Sequence, residues 1–388
     1  MTQRQQHPIG AAYDLAPLLQ PLDIRTMHLK SRFVMPGMQR MWCVDGAPDQ
    51  RLRDYYRRRI LGGASLVISE SCAINHPSAT KDPTFAQISP ATRTAWRAVI
   101  DTAHEAGGRI FLQLWHQGAV NYGGDAERNP DFVALSPSGF SDPREAFGRA
   151  ATAAELHSIR DAFVQGALDA QEIGADGIEL HTCHGFLLDQ FLWPRTNLRT
   201  DHYGGPTVAD RARFPAEVAA AVRQAVGPDF VISMRISQWK ESDYDAKIVE
   251  TPDELGQLIP ILRSAGVDIF HVSTRRFWTP EWEGSDLGLA GWVKSFTDAA
   301  VIAVGSIGLD IDVMATLTGE EAKPTGAIRI DELVRRFRRG DFDLVSVGRS
   351  QIGDPDWVAK MRDGRIPDIR PFRRDDTSLD HDVGAAAG

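Results

Sequence analysis

The sequence predicts an α/β fold, a (β/α)8 barrel of the TIM type, formed by a single domain. Eight short apolar runs rich in β-branched residues recur along the chain, with helical patterns between them. Several of these runs are apolar almost without interruption, which is typical of strands buried on both faces of a parallel sheet. Barrels of this kind commonly reach about 250 residues or more as one domain, so the 388 residues of the chain do not require two domains.

The predicted strands follow one another at intervals that leave room for a helix. They are residues 32–35, 65–69, 110–115, 177–181, 230–236, 269–273, 301–304 and 344–347. The alternative architecture is an open doubly wound sheet. Dinucleotide-binding sheets of that kind carry a GxGxxG turn after a strand, and no such turn follows any of the eight runs.

Helical patterns fill the intervals between the strands. Residues 49–61 carry apolar side chains at helical spacing, and residues 331–337 and 355–361 predict late helices. Thr152 to Glu155 predict a capping box that opens a helix running to residue 173. Thr251 to Glu254 predict a second capping box, with Pro252 at the first helical position.

The predicted barrel domain covers residues 18–374. Residues 1–17 are expected to form an N-terminal arm, and residues 375–388, which are polar and small, are expected to be a disordered tail. Residues 119–149 form a long connection after the third strand, rich in Gly, Pro, Asn and Asp. We expect this loop to lie on the active face of the barrel as a lid or small hairpin.

Composition limits the class of partner. The net charge is −9 and no long basic run occurs, which argues against nucleic acid and against an anionic membrane surface as partners. The three cysteines are far apart, which excludes a disulfide framework and fits a reducing compartment. No stretch is apolar for the length of a spanning helix. We therefore expect a cytoplasmic protein acting on a small molecule, as a monomer or a homo-oligomer.

Polar and glycine residues collect where the predicted strands end. In a barrel, the carboxyl ends of the strands carry the catalytic groups. The candidates, in strand order, are Pro36, Gly37 and Gln39; Ser71; Gln113 and Trp115; His181 and His184; Arg235; Gly305 and Ser306; and Gly348 and Arg349.

Two sets of these residues indicate which chemical groups a ligand would carry. The glycines after strands seven and eight, with the charge of Arg349, favour a phosphate site over plain tight turns. Gln113 and Arg235 are polar residues inside apolar strands. They predict a planar polar ligand lying across the barrel mouth, and a buried salt bridge from Arg235 to Glu70 or Glu179 is the structural alternative.

His181 and His184 flank the end of the fourth strand. We interpret them as two N–H donors directed at one ligand oxygen. A metal site is the weaker alternative, since the HExxH pattern is missing and a third ligand such as Cys183 or His116 would need favourable geometry. No metal is expected.

The motifs resemble those of the Old Yellow Enzyme family of FMN-dependent oxidoreductases. The likeness covers roughly residues 20–365 and is most specific in the segment HTCHGFLLDQFLWPRTNLRTDHYGG at residues 181–205. Other matching segments, in order, are KSRFVMPGMQR, RDYYRRRILGGASLVISES, GGRIFLQLWHQG, ADRARF, MRIS, AVGSIG and LVSVGRSQIGDPDW.

The resemblance implies non-covalent FMN and a two-step reaction. NADPH or NADH donates a hydride to the flavin, and an electron-poor alkene then accepts it. By position, Gln113 and Arg235 are similar to the groups at the polar edge of the flavin, and Gly305, Ser306, Gly348 and Arg349 to the phosphate site. His181 and His184 are similar to the pair that binds the substrate oxygen.

One position departs from the family pattern. Phe186 stands where the family usually has the tyrosine that protonates the α-carbon. Water, Tyr122 or Tyr244 then supplies the proton, or the reaction needs none, which keeps open an oxidative amine demethylase or dehydrogenase. Gln39 replaces the usual Thr or Cys beside the flavin.

The substrate pocket is expected to include Phe186, Trp115 and Trp278, the last from the aromatic segment 274–286, for which a packed surface loop is the alternative. A barrel that binds a phosphorylated ligand without redox chemistry is a further alternative. An aldolase of that kind requires a buried lysine on a strand, and none of the predicted strands contains one.

Overall fold

The computed structural model describes residues 13–82, 84–122, 129, 131–323, 327–378 and 382. Its centre is a closed barrel of parallel strands. They are β1 (Phe33–Met35), β2 (Leu66–Ile74), β3 (Arg109–Trp115), β4 (Gly177–His184), β5 (Val231–Lys240), β6 (Ile269–Ser273), β7 (Ala300–Val304) and β8 (Leu344–Ser346). Each of the eight apolar runs corresponds to one of these strands, which confirms the predicted barrel and excludes the open sheet.

The barrel closes through a pairing between its first and last strands. Val345 of β8 lies opposite Phe33 of β1, and Val34 of β1 lies opposite Leu66 of β2. The remaining barrel strands each pair in parallel with the next one along the chain. Because every pairing is parallel, the carboxyl ends of all the strands meet at one end of the barrel, where a ligand site is expected.

A helix follows each strand on the outside of the barrel. These helices are α1 (Gln50–Leu61), α2 (Arg93–Glu105), α3 (Ala153–Glu172), α4 (Val208–Val226), α5 (Pro252–Ser264), α6 (Leu289–Ser295), α7 (Ile330–Arg339) and α8 (Trp357–Arg362). Short helical segments also occur at Ala16–Leu19, Leu187–Leu192, Val313–Leu317, Arg349–Gly353, Ile366–Asp368 and Arg374–Thr377. Among the helices in the described part of the chain, none has both the length and the apolar character needed to cross a membrane.

The first turns of α3 and α5 show how far the two predicted capping boxes are formed. At α3 the capping box is complete, since Thr152 Oγ1 accepts from Glu155 N and the Glu155 carboxylate accepts from Thr152 N. At α5, Thr251 caps the helix by accepting from Glu254 N over 3.2 Å. The prediction of a complete second capping box is wrong, because the Glu254 carboxylate accepts from Glu250 N over 2.6 Å and not from Thr251 N.

A short hairpin closes the amino-terminal end of the barrel. It consists of the antiparallel strands Leu22–Ile24 and Met27–Leu29. Its buried side chains pack against those that fill the lower barrel interior: Val34, Leu66, Ile68, Phe111, Val231, Ile269, Ile302 and Leu344. The lower interior is therefore a packed core, and the barrel interior has room for a ligand at its carboxyl end.

The chain ends differ from the sequence-based expectation. In the predicted arm, Leu15 is buried in the main core, and residues 1–12 lie outside the described part. The prediction of a disordered tail is wrong for residues 375–378 and 382. Asp376 and Asp382 are buried, and they form ion pairs with Arg370 and Arg59 respectively. Polar and small residues predict disorder, and the composition of the tail does not reveal that Arg59, far away in the chain, binds Asp382.

The long connection after β3 is described in part. Its segments Leu135–Ser136 and Arg149–Ala150 pair in parallel, so they do not form a simple hairpin. Residues 123–128 and 130 of the expected lid lie outside the described residues.

Candidate active site

A cavity of about 450 Å³ opens at the carboxyl ends of the strands. This volume is within the usual range of roughly 300–1,000 Å³ for small-molecule sites. The cavity brings together predicted site residues from every barrel strand except β6. They are Pro36, Gly37, Gln39, Ser71, Gln113, Trp115, His181, His184, Phe186, Arg235, Gly305, Ser306, Gly348 and Arg349.

A buried carboxylate lies below the floor of the cavity. Glu179 of β4 accepts hydrogen bonds from Gln113 Nε2, Ser233 Oγ and His271 Nδ1, each over 2.9 Å. Burial opposes its ionisation, but His271, Arg235 and Gln113 outweigh burial and hold the pKa of Glu179 at about 2. The sequence presented Glu179 only as a possible ion-pair partner, because a glutamate inside an apolar strand does not reveal which neighbours it binds.

Arg235 contributes a buried positive charge to the floor. Its Nη2 donates to Ser273 Oγ over 3.3 Å, while its buried Nε has no hydrogen-bond partner among the described residues. The structural alternative of a salt bridge from Arg235 to Glu70 or Glu179 is not formed in the described part of the chain. Glu70 instead accepts from the backbone N–H groups of Arg40 and Met41. Because an unpaired buried N–H is costly, Arg235 is placed to bind a polar ligand.

The lack of a side chain at Gly37 leaves the cavity floor, formed here by Gln113 and Arg235, open to a flat ligand. A Cβ at Gly37 would lie 2.5 Å from the Ser69 carbonyl oxygen and 3.1 Å from Gln113 Nε2. Any side chain here would therefore displace the backbone of β2 or the amide of Gln113. Pro36 and Gln39, on either side of Gly37, line the same part of the cavity, and Gln39 Nε2 is buried without a partner among the described residues.

The two histidines stand above the floor, with ring centroids 5.9 Å apart. His181 Nε2 is buried and has no partner among the described residues. Its Nδ1 lies 3.4 Å from Ser71 Oγ, at the long limit of a hydrogen bond, so this weak contact does not hold the ring proton on Nδ1 against a ligand oxygen at Nε2. His184 Nε2 lies 2.9 Å from Ser273 Oγ. Since Ser273 accepts from Arg235, its single hydroxyl hydrogen is available to His184 Nε2, which leaves His184 Nδ1 to carry the proton and donate to a ligand.

Both imidazoles are held in the neutral form. Burial, reinforced by the charge of Arg235, lowers the pKa of His181 to about 3 and the pKa of His184 well below its usual value. A neutral imidazole has one N–H, so each ring offers one donor. His184 has a φ of +62°, in the left-handed region that a residue with a side chain rarely adopts. Such strain is often found at functional sites.

A buried ion pair supports the strained backbone at His184. Lys240, at the end of β5, donates to Asp189 over 2.9 Å, and Asp189 accepts from Gly185 N over 2.6 Å. Both charged side chains are fully buried. The observed β5 extends further than predicted, so the expectation that no barrel strand contains lysine is wrong. Lys240 is bound to Asp189 and does not line the cavity, which disfavours a Schiff-base role.

The described residues include one cluster of possible metal ligands, which corresponds to the weaker alternative for the two histidines. Ligand atoms of His181, Cys183 and His184 lie within 4.8 Å of one another. Burial raises the pKa of the Cys183 thiol well above its usual value, and the thiolate is the form that binds metals. His184 Nε2 is already hydrogen-bonded to Ser273. The cluster is therefore a poor metal site.

Arg349 forms the opposite end of the cavity. Its guanidinium donates to four oxygens, namely Asp312 O, Thr316 Oγ1, Ser306 Oγ and Ile311 O, at 2.7–3.0 Å. None of these is a carboxylate, and burial lowers the pKa of Arg349 to about 10. The guanidinium is nevertheless charged at neutral pH, so an anion bound beside it would be stabilised.

Glycines permit a ligand to approach this charge. Gly305 has a φ of +153°, and a Cβ there would lie 2.5 Å from Thr274 Oγ1. Gly348 faces the cavity beside Pro36, and Ser306 has a φ of +53°. These residues form a concave backbone surface next to Arg349, as expected for a phosphate site.

Trp278 does not line the cavity. Its ring packs edge-on against Phe277, with centroids 5.2 Å apart, and Arg329 lies 4.5 Å over it. Phe277 N donates to Gly305 O, which turns the chain outward after Arg276. The aromatic segment is therefore the packed surface loop that was the alternative, and only Thr274 and Arg275 of it reach the cavity.

Other residues that line the cavity were missed or only touched on by the sequence. They include Met38, Phe85, Tyr122, Trp239, Glu241, Arg275 and Thr377. Phe85, Tyr122 and Thr377 lie outside the barrel strands, and nothing in strand periodicity indicates that they reach the mouth. The position of Glu241 directly after β5 would have marked it, had the end of that strand been predicted correctly.

A flat ligand with a phosphate tail fits this arrangement. Within the described part of the chain, Arg235 Nε and His181 Nε2 are buried polar atoms without a hydrogen-bond partner, and no carboxylate accepts from Arg349 at strands β7 and β8. FMN combines a planar ring with a polar edge and a phosphate. The residues present therefore match the cofactor that the sequence motifs imply.

Comparison with known sequences agrees with this assignment. Residues 17–368 match the NADH:flavin oxidoreductase / NADH oxidase family. The chain is 32% identical over 360 residues to NADH oxidase from Thermoanaerobacter brockii, covering 89% of this chain and 51% of that protein. It therefore spans about half the length of that relative. It is 30% identical to 12-oxophytodienoate reductase 7 from Oryza sativa subsp. japonica, covering 89% of this chain and 88% of that protein.

Solved structures are similar over the whole barrel. Morphinone reductase superposes with a TM-score of 0.72 at 25% identity, covering 92% of this chain and 90% of that one. Morphinone reductase in complex with tetrahydroNAD gives a TM-score of 0.70 at 25% identity, with 89% and 90% covered. Fold and cavity together define a flavin-dependent barrel oxidoreductase. The chain belongs to the NADH:flavin oxidoreductase / NADH oxidase family, that is, the Old Yellow Enzyme family which its motifs resemble.

Proposed function

We propose that the protein reduces activated alkenes, conjugated to a carbonyl or nitro group, with NADPH or NADH as the reductant and non-covalent FMN as the cofactor. Bound FMN supplies the hydride carrier between nicotinamide and alkene. Gln113 and Arg235 would hold its polar edge, Pro36, Gly37, Gln39 and Ser71 its neighbouring surface, and Gly305, Ser306, Gly348 and Arg349 its phosphate. The observation that carries the proposal is the unpartnered His181 Nε2, which faces the same cavity as the unneutralised Arg349.

In this proposal the histidines bind the substrate oxygen. When the β-carbon of an enone gains a hydride, negative charge develops on the carbonyl oxygen. His181 and His184 donate one N–H each to that oxygen. Their low pKa values keep both rings uncharged, so the net charge of the site does not change when they donate. Preorganised donors of this kind contribute on the order of 3 kcal/mol each to stabilising such a transition state.

Two aromatic rings would cover the alkene from the side. Phe186 lies edge-on to His181, with centroids 4.7 Å apart, and edge-on to Trp115, with centroids 5.3 Å apart. Both aromatic residues line the cavity. An apolar wall beside the histidines excludes water, which strengthens the hydrogen bonds to the developing charge.

The oxidative alternative rests on the same phenylalanine. Phe186 carries no proton, and an amine demethylase or dehydrogenase that removes a hydride from its substrate needs no proton donor there. The third alternative, a barrel that binds a phosphorylated ligand without redox chemistry, is disfavoured by the family to which the chain belongs.

The visible absorption spectrum and an anaerobic titration test these functions. We expect a yellow protein that NADPH or NADH bleaches and that cyclohexenone or a nitroalkene restores. Bleaching by a methylated amine, with no response to pyridine nucleotides, would favour the oxidative alternative. A protein that stays colourless after incubation with FMN would contradict both flavin functions. Replacing His181 and His184 by Ala should abolish the charge-transfer band of a bound phenolate while FMN remains bound.

A further inference from the structure

We propose that Tyr122 delivers the proton to the α-carbon of the substrate and that Glu241 resupplies it. This inference rests on the proposed alkene reduction, which leaves an enolate that needs one proton at carbon. Phe186 has no proton to give, so another group at the cavity must supply it. Two contacts and one shared cavity place Tyr122 and Glu241 for this step.

The first contact places the Tyr122 ring next to Phe186. The two ring centroids are 6.3 Å apart, and the other face of Tyr122 stacks on Phe85 at 6.0 Å. Phe186 in turn contacts His181, with centroids 4.7 Å apart. The phenol of Tyr122 therefore enters the cavity beside the ring that stands in place of the usual proton donor, and on the same side as the histidines.

The second contact ties Glu241 to the histidine pair. Glu241 directly follows Lys240, the last residue of β5, and its backbone N–H donates to His184 O over 3.2 Å. Its carboxyl group lies close enough to the Tyr122 hydroxyl to raise the pKa of the phenol, and both residues line the same cavity. The strand that carries Arg235 thus also brings an acid to the tyrosine.

The third observation is a path for water. Tyr122, His184 and Glu241 line the active-site cavity and also a second cavity of about 220 Å³. The remaining lining of the second cavity is largely polar and comprises Ala119, Val120, Asn121, Ser141, Asp142, Glu145, Phe147, Gly185 and Ser242. Tyr122 is 47% exposed in the free protein. Because Tyr122 and Glu241 are exposed and border this second cavity, water there can return a proton to Glu241.

The protein atoms packed around the Glu241 carboxyl favour its protonated form near neutral pH, although the residue as a whole is exposed. Removal from bulk water by the surrounding chain raises the pKa of Glu241 to about 7, opposed by the Tyr122 hydrogen bond and by Arg235. The other titratable groups that face it are His184, Tyr244, Asp142 and Glu145. The pKa of Tyr122 lies well above its usual value, through desolvation and the charge of Glu241.

Protonated Glu241 donates to the Tyr122 oxygen, which leaves the phenol hydrogen directed at the substrate. A C–H bond forms at the α-carbon as the phenol O–H bond breaks. The electron pair of the enolate forms this new C–H bond. The Glu241 O–H proton then passes to the phenolate oxygen, and water in the second cavity reprotonates Glu241. The net change is one proton taken from solvent per substrate reduced, with no additional oxidant or reductant.

Tyr122→Phe and Glu241→Gln, with Tyr244→Phe as the matched control, test this assignment in the FMN-loaded protein. The substrate is 2-methylcyclohexenone in D2O, whose α-carbon becomes a stereocentre on protonation. In Tyr122→Phe we expect the step that reoxidises the flavin to slow by about 100-fold, the lower value for a lost general acid, and the α-carbon to lose its preferred configuration. Flavin reduction by NADPH or NADH should be unchanged, and Tyr244→Phe should behave as the wild type.

Glu241 has a readout that does not depend on turnover. Infrared titration of the resting protein should show a protonated-carboxyl band that disappears as the pH rises through about 7. The band should be absent in Glu241→Gln and shifted in Tyr122→Phe, which loses its hydrogen-bond partner. The reduction rate of the wild type should fall over the same pH range, and Glu241→Gln should lack that fall.

Two outcomes would overturn the assignment. Tyr122→Phe with the wild-type rate and the wild-type α-configuration would show that water or another group donates the proton. A wild-type spectrum without the titrating carboxyl band would remove Glu241 from the path even where Tyr122 is retained. A wild-type protein that reduces none of the activated alkenes would instead contradict the proposed function, which separates the two failures.

Discussion

Gln113 donates from Nε2 to Glu179 Oε1 over 2.9 Å, and both side chains are buried below the cavity. This bond fixes the direction of the Gln113 amide, since its nitrogen faces Glu179 and its oxygen accepts from Ser71 Oγ over 3.1 Å. A side-chain amide that reads donors and acceptors on a ligand edge needs such a fixed direction. The buried carboxylate of Glu179 therefore determines what Gln113 presents to the ligand.

Replacing Glu179 by Gln should weaken both FMN binding and the fold. The change frees the Gln113 amide to rotate and removes the negative charge that faces Arg235. We expect FMN affinity to fall about 10-fold or more and the free energy of unfolding to fall by about 3 kcal/mol. Fluorescence titration with FMN and urea denaturation measure the two effects. Glu172→Gln, at an exposed carboxylate, is the control and should change neither.

The same residue predicts a pH dependence of stability. The pKa of Glu179 is lowered to about 2 in the folded protein, against about 4.3 in an unfolded chain. Its ionised form therefore stabilises the fold above pH ~4.3, and this contribution is lost as the pH falls from there towards 2. The free energy of unfolding of the wild type should fall more steeply over this range than that of Glu179→Gln. Parallel profiles for the two proteins would contradict the assignment.

Arg349→Met should weaken FMN binding and also destabilise the segment after β7, because four oxygens lose their hydrogen-bond donor. The guanidinium of Arg349 supplies the positive charge at the phosphate end, and charge-assisted hydrogen bonds contribute about 1.5–3 kcal/mol each. We expect FMN to bind on the order of 10- to 100-fold more weakly. The ratio of flavin to protein after purification gives the first measurement. Arg276→Met is the matched control, because Arg276 pairs with Asp312 and does not line the cavity.

The buried pair of Lys240 and Asp189 predicts a non-additive result. Lys240→Met alone leaves the Asp189 carboxylate buried without its cation, and such a loss costs about 3–5 kcal/mol. The double variant Lys240→Met with Asp189→Asn removes the unpaired charge and should recover part of that loss. Urea denaturation of the wild type, both single variants and the double variant gives the coupling energy. Additive losses would show that the two charges do not stabilise each other.

Asp382 links the C-terminal segment to the barrel. Its carboxylate accepts from Arg59 Nη1 over 2.9 Å and Arg59 Nη2 over 2.8 Å, and it also pairs with Arg58. Asp382→Asn should therefore lower the free energy of unfolding by about 3 kcal/mol, because Arg59 is fully buried. Asp375→Asn changes an exposed carboxylate nearby and serves as the control. Equal stability of the two variants would mean that the segment is not bound in solution.

The strands and the cavity follow from patterns that the sequence carries locally. A run such as residues 269–273 is apolar throughout because both of its faces are buried, and the polar residues that end each run meet because parallel strands share one mouth. Arg235 and Gln113 were identifiable because a polar side chain in a buried strand requires a partner. The same argument did not identify the partner, since Glu179 binds Gln113 and leaves Arg235 Nε free.

The errors of sequence interpretation share a physical cause. Trp278 lies after a strand end, as cavity residues do, but the backbone bond from Phe277 N to Gly305 O turns it outward. The tail was expected to be disordered because its residues are polar and small, yet Asp382 is bound by Arg59, which is 323 residues away in the chain. In each case a contact between distant segments decides the structure, and no local pattern records such a contact.

The pairing of Val345 with Phe33 has a consequence for biosynthesis. The first strand emerges from the ribosome long before its last neighbour, so β1 spends most of translation with one unpaired edge. Contacts this far apart in the chain form slowly. The barrel can close only after β8 has been synthesised. A truncated chain that lacks β8 therefore has unpaired strand edges, and we expect it to aggregate and not to act as an enzyme of lower activity.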